Sequence, residues 1–147
     1  MRPFRFRLDK ILDYRGYLLK RAQIDLYNAQ SEYKRRQNEL KSLAQTRVEV
    51  ARECMDEGIK GIDVARYKIY QAFLQKLDDD LGKAHIRLKE GKKHLAVKAA
   101  QLKKASMKRK ALETLKDRQY KKYQKTSENE EQKALDEIVL IGRGRKI

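Results

Sequence analysis

Apolar residues recur at alternating steps of three and four through the second half of the chain. This is a heptad repeat, in which one stripe of a helix faces a partner helix. The only proline, Pro3, lies outside it. The pattern therefore predicts a long coiled-coil helix. Its stripe positions are Tyr67, Tyr70, Leu74, Leu77, Leu81, Ala84, Leu88, Gly91, Leu95, Lys98, Leu102, Ala105, Arg109 and Leu112.

The first half of the chain carries a similar but less regular stripe. Two consecutive steps of four between Leu18 and Leu26 form a stutter, which locally unwinds a supercoil. The stripe predicts that the first half of the chain also forms a long helix, which packs against the helix of the second half. Its positions are Leu8, Ile11, Arg15, Leu18, Ala22, Leu26, Ala29, Tyr33, Arg36, Leu40, Leu43, Arg47, Val50 and Cys54.

Two glycines lie between the stripes and predict a turn at about 57–62. We expect Gly58 to cap the first helix, at about 5–56, and Asp63 to start the second, at about 63–138. A short connection makes neighbouring helices antiparallel. The sequence thus predicts an all-α fold, a long two-helix antiparallel coiled-coil hairpin whose second helix is longer than the first.

The position of the turn also predicts which residues lie side by side. With a midpoint near residue 60, the numbers of opposite residues add up to about 120, which sets Ala29 beside Gly91. Residues 1–141 then form a single hairpin domain that needs no second copy, so we expect a monomer. Residues after about 116 have no partner within the chain, and residues 142–147 are predicted to be a disordered basic tail.

The charge is strongly positive and unevenly distributed. Charged residues make up 39% of the chain, and the formal net charge is +16. Residues 87–125 hold fifteen Lys and Arg against three acidic residues. Such a segment favours an anionic partner, which can be an acidic protein, a membrane surface or nucleic acid. No recognition motif accompanies the charge, so we expect no specific nucleic-acid partner; a basic nucleic-acid-binding or scaffold coiled coil remains the alternative.

No group of residues predicts a catalytic, cofactor or metal site. His85 and His94 are nine apart, which is wrong for two ligands on one helix face, and Asp78–Asp80 point in different directions. Cys54 is the only cysteine, and no secretory signal or membrane-spanning segment is visible. We therefore expect a cytoplasmic protein that is not an enzyme and acts through its surfaces.

Two aromatic groups are candidate binding surfaces. Phe4 and Phe6 either close the open end of the hairpin as a staple or form an exposed contact for a partner. Tyr70, Phe73 and Leu77 form a stripe rotated off the packing stripe, which makes them a candidate association site.

The order and spacing of several motifs resemble the flagellar FliJ family over the whole chain. Residues 4–15 resemble the family opening F-x-F-x-L-x-x-[IVL]-L-x-x-R, and residues 70–77 resemble Y-x-x-F-x-x-x-L. A Lys-rich second helix follows, and residues 132–137 resemble the family's closing K-x-[ML]-D-E. The injectisome stalk proteins share the predicted shape and remain an alternative.

The resemblance implies a component of the flagellar type III export apparatus, similar to the central stalk subunit of rotary ATPases. It implies binding to the hexameric export ATPase and to the cytoplasmic domain of the export-gate membrane protein. It also implies recycling of export chaperones, at the cytoplasmic face of the cell membrane at the flagellar base. The residues implied for the ATPase are Phe4, Phe6, Leu8, Leu12, Arg15, Leu135, Asp136 and Glu137. Those implied for the gate are Leu43, Tyr70, Phe73 and Leu77.

Overall fold

The computed structural model describes residues 2–145, which form two α-helices joined by a tight turn. Helix α1 spans Asp9–Lys60 and helix α2 spans Val64–Arg145. The two helices pack against each other, α2 is the longer, and the described residues contain no strand. The predicted all-α, two-helix fold is confirmed.

The helices contribute to two compact units. The turn unit comprises Ala22–Leu102, and the end unit comprises Met1–Arg21 with Lys103–Ile147. In the turn unit, Arg36 contacts Arg87 and Arg47 contacts Asp78, so the helices run antiparallel. In the end unit, Asp9 contacts Lys116, and Gly16 lies beside Arg109. The helices of this unit are antiparallel as well.

The predicted stripes are the faces that meet. Most stripe positions are at least half-buried, although Ile11, Tyr67 and Arg109 remain exposed. Few residues are fully buried, because a pair of helices covers each side chain on one side only. The most deeply buried stripe residues all lie in the turn unit, and they are Ala29, Cys54, Leu74, Leu77, Ala84 and Gly91.

The turn lies later than predicted, because α1 continues through Gly58 to Lys60. The left-handed residue is Gly61, with φ of 92°, a conformation that glycine adopts without steric cost. The expected cap at Gly58 is therefore wrong. Asp63 does precede α2, since its carbonyl oxygen accepts a 3.0 Å hydrogen bond from the Tyr67 amide.

The later turn shifts the register of the two helices in the turn unit by about five residues. Arg47 lies opposite Asp78, and these numbers add up to 125 instead of about 120. Gly91 consequently lies beside Tyr33 and Arg36, not beside Ala29. The physical reason is that the midpoint of the turn lies near residue 62, because α1 is four residues longer than predicted at this end.

Both outer ends of the helices also differ from the prediction. α1 begins at Asp9 instead of about residue 5, and residues 2–8 pack along α2 as a non-helical segment. That segment reaches Tyr123, so the unpartnered part of α2 begins after Tyr123 and not after 116. The predicted disorder of residues 142–147 is wrong for 142–145, which complete α2 despite Gly142 and Gly144, since a glycine costs a helix only about 1 kcal/mol relative to alanine. Lys146 and Ile147 lie outside the described residues.

Candidate partner-binding surfaces

An aromatic cluster holds the non-helical start of the chain against α2. The ring of Phe4 lies 5.2 Å from Tyr120 and 5.5 Å from Tyr123, centroid to centroid, and the Tyr123 hydroxyl donates to the carbonyl oxygen of Arg2. Phe6 is buried, with 6% of its surface exposed. Of the two hypotheses for these phenylalanines, the structure thus supports the staple.

An ion pair near the aromatic cluster also connects the start of α1 to α2. Lys116 Nζ lies 2.9 Å from Asp9 Oδ1, and this hydrogen bond raises the pKa of Lys116. Since Asp9 is the first residue of α1, the pair connects the start of the helix to α2. A negative charge in the first turn of a helix also interacts favourably with the helix dipole.

The other N-terminal residues implied for the ATPase are Leu8, Leu12 and Arg15. All three are half-buried in the end unit, together with Phe4. The exposed side chains beside them include the charged Arg5 and Arg7 as well as Ile11 and Tyr14. A depression of about 440 Å³ borders Phe4, Arg5, Phe6, Arg7, Asp9, Lys10, Asp13 and Lys116.

The C-terminal residues implied for the ATPase lie on a very different surface. We call residues 128–145 of α2 the overhang, and each of its residues is exposed. Leu135, Asp136 and Glu137 lie near its middle. They begin twelve residues beyond Tyr123, a rise of about 18 Å along α2, so the structure does not bring them together with the aromatic cluster.

The overhang also presents apolar residues that the candidate site did not include. Ile138 is 65% exposed, and the neighbouring Val139 and Ile141 are also exposed. With Ala134 and Leu135 they form one side of the helix, which we call the overhang face. The apolar run from Ile138 to Ile141 is the sequence signal for it.

Near the turn, the four residues implied for the export gate differ in accessibility. Leu77 is 5% exposed and therefore belongs to the packing of the helices. Leu43 and Tyr70 are half-buried, whereas Phe73 is 44% exposed. Phe73 is thus the member of this set best placed to contact a partner directly.

A surface depression of about 550 Å³ adjoins Phe73. It is lined by Asp63, Ala65, Arg66, Ile69, Tyr70 and Phe73. An ion pair of 2.8 Å between Arg66 and Glu57 borders it, and burial, followed by a hydrogen bond with Glu57, raises the pKa of Tyr70. Exposed apolar residues that the sequence analysis did not select lie nearby, and they are Met55, Ile59, Val64 and Ile69.

The basic residues of α2 lie mainly on its solvent side. In the turn unit, exposed examples are Lys89, Lys92 and Lys93. In the end unit, Lys121 and Lys122 are exposed beside the aromatic cluster. Among residues 2–145 there is no cluster of His, Cys, Asp or Glu suited to a metal ion. Over the same residues, neither helix has a segment long and apolar enough to cross a bilayer.

The comparison with protein families agrees with the motifs and with the fold. The sequence model described as "Flagellar FliJ protein" matches residues 4–146, nearly the whole chain. No curated protein and no solved structure matches. The chain belongs to the flagellar FliJ family, and it is a component of the flagellar protein export apparatus.

Proposed function

We propose that this protein is a non-enzymatic stalk that binds the hexameric export ATPase at its end unit and the export gate near its turn. The observation that carries the proposal is the overhang, where α2 continues for eighteen exposed residues, 128–145, beyond its packing partner. A contiguous apolar side that is exposed on a helix marks a surface that a partner covers. A pore formed by six ATPase subunits would do so.

At the ATPase end, the two groups of implied residues have different roles in this proposal. Leu135, Asp136 and Glu137 are exposed and touch the ATPase directly. Phe6 and its neighbours act indirectly, because they hold the start of the chain against α2 below the overhang. The net charge of +16 attracts the protein to an acidic pore lining, which makes association faster and sensitive to salt.

At the other site, Phe73 contacts the cytoplasmic domain of the export-gate protein. Ile69 and the apolar wall of the adjoining depression extend this contact. Tyr70 and Leu43 contribute their exposed edges, and Leu77 supports the surface from beneath. Binding of the gate protein places the stalk peripherally at the cytoplasmic face of the membrane, where it also recycles export chaperones.

The proposal is tested by assembly and turnover of the purified export ATPase with and without this protein. We expect the protein to promote ring assembly and to raise turnover. Leu135→Ser should reduce both effects, while Leu140→Ser, which removes a similarly exposed leucine outside the overhang face, should not. Equal activity of the ATPase with and without the protein would contradict the proposal.

A further inference from the structure

The overhang face continues the side of α2 that packs in the end unit. Tyr120 and Tyr123 contact Phe4 on this side, and Ser127 is half-buried. Further steps of four, three, four and three residues lead to Glu131, Ala134, Ile138 and Ile141. Since residues one helical turn apart share a face, the packing side extends to the end of α2 without a described partner.

Charges of opposite sign flank the overhang face. Glu128 and Glu131 lie at its start, and Arg145 lies at its end, seven residues after Ile138 and therefore on the same side of the helix. None of these three side chains forms an ion pair with another described residue. This side of the overhang is therefore acidic at its start, apolar in its middle and basic at its end, and no described contact compensates either end.

We infer that the overhang pairs antiparallel with the overhang of a second copy of this chain. With the midpoint near Asp136, Ala134 of each copy lies beside Ile138 of the other. The acidic start of each overhang then lies beside the basic end of the other. A parallel pair would instead place like charges side by side, which is unfavourable.

A second copy fits this surface for two further reasons. The side of the overhang that carries Ile138 is acidic at one end and basic at the other, so two antiparallel copies are complementary, as a two-fold symmetric interface requires. Asp136 and Lys133 lie on the opposite side of the helix from Ile138, so the acidic Asp136 does not enter the interface at the midpoint.

The interface is small, and the dimer is correspondingly weak. Eighteen helical residues extend for about 27 Å. Two such segments bury a surface area at the low end of the range for specific interfaces. The hairpin itself still folds within one chain, so we expect a monomer at low concentration and a dimer only at high concentration. The proposed ATPase contact includes Leu135 of the same face and would compete with the dimer, but the inference does not depend on that contact, and no ATPase enters its test.

Sedimentation equilibrium of the full chain, over about a hundredfold range of concentration and at two salt concentrations, tests the inference. We expect a saturable monomer–dimer equilibrium that weakens at high salt. Ile138→Ser should weaken it at least about tenfold. Leu140→Ser is the matched control, since these side chains are 65% and 66% exposed but lie on different sides of α2.

A charge exchange tests the antiparallel arrangement. Glu128→Lys with Glu131→Lys, and separately Arg145→Glu, should each abolish self-association by placing like charges together. Mixing these two variants should restore a dimer that contains one chain of each. A monomer at every concentration, open-ended aggregation, equal effects of the two serine variants, or no dimer in the mixture would each overturn the inference.

Discussion

Arg36 of α1 donates a 2.7 Å hydrogen bond from Nη1 to the backbone carbonyl oxygen of Arg87 in α2. On the way its side chain passes over Gly91, where an added Cβ would lie 3.3 Å from Nη1 and 3.4 Å from Cδ of Arg36. A guanidinium group thus uses the space that the missing side chain leaves. The glycine and the arginine together give this part of the turn unit its close helix contact.

We predict that Gly91→Ala gains none of the stability that alanine normally brings to a helix. The control is Gly82→Ala, where an added Cβ would meet no atom within 4 Å. That variant should raise the free energy of unfolding by about 1 kcal/mol, since alanine is the better helix former. At position 91 the crowding of Arg36 should cancel this gain. Urea unfolding followed by circular dichroism measures both, and equal gains would show that the contact is not tight.

We predict that Phe6→Ala releases the start of the chain from α2. Truncation of a buried phenylalanine leaves a cavity, and with cover on one side only we expect a cost of about 2–3 kcal/mol. Hydrogen exchange should therefore become faster at the Asp9 and Leu12 amides, which bond to Phe6 and Leu8. Tyr14→Ala, which truncates an exposed aromatic residue of the same unit, should leave exchange at these amides unchanged. Unaltered exchange in the Phe6 variant would argue against the staple.

We predict an unusually acidic Glu32 in the turn unit. A hydrogen bond from Arg35, 2.6 Å long, and a second from Arg36 lower the pKa of Glu32 from 4.5 to about 2. Because the folded pKa is depressed, the stabilisation is complete above pH 4.5 and is lost as the pH falls towards 2. Titration of the carboxyl carbon by NMR gives the midpoint. Arg35→Gln should raise it more than Arg36→Gln, and a midpoint near 4.5 in the unaltered protein would contradict the prediction.

We predict that Phe73 and Leu77 affect binding of the export gate for different reasons. Phe73→Ala should weaken binding with little loss of stability, because the ring is 44% exposed. Leu77→Ala should lower the free energy of unfolding by about 2–3 kcal/mol, since its side chain is buried between the helices. Calorimetric binding to the gate's cytoplasmic domain and urea unfolding separate the effects. Ile86→Ala, an exposed apolar residue elsewhere on α2, is the control that should change neither.

The heptad pattern predicted the fold well because it depends on burial, and burial decides which face of a helix packs. Its buried stripe positions, such as Leu74 and Ala84, follow directly from spacing. The turn was harder to place, because Gly58 and Gly61 offered two helix ends with similar local chemistry. The position of the turn sets the register of the two helices, and the stripe pattern does not determine that position.

The candidate site was less predictable than the fold. Motif resemblance selected Phe6 and Leu77 without showing that both are buried, since a motif does not separate a supporting residue from a contacting one. It also passed over Ile138 and Ile69, which are exposed. The reach of residues 2–8 along α2 could not be predicted either, because it depends on the non-helical backbone before Asp9.

In the proposed function, the overhang enters the pore of the export ATPase ring. A photo-crosslinking residue at position 135, on the overhang face, tests this most directly when it is compared with one at position 86 in the turn unit. We expect crosslinks from position 135 to residues that line the ring's pore, and none from position 86. Crosslinks from position 135 only to the outer surface of the ring, or none at all, would contradict it.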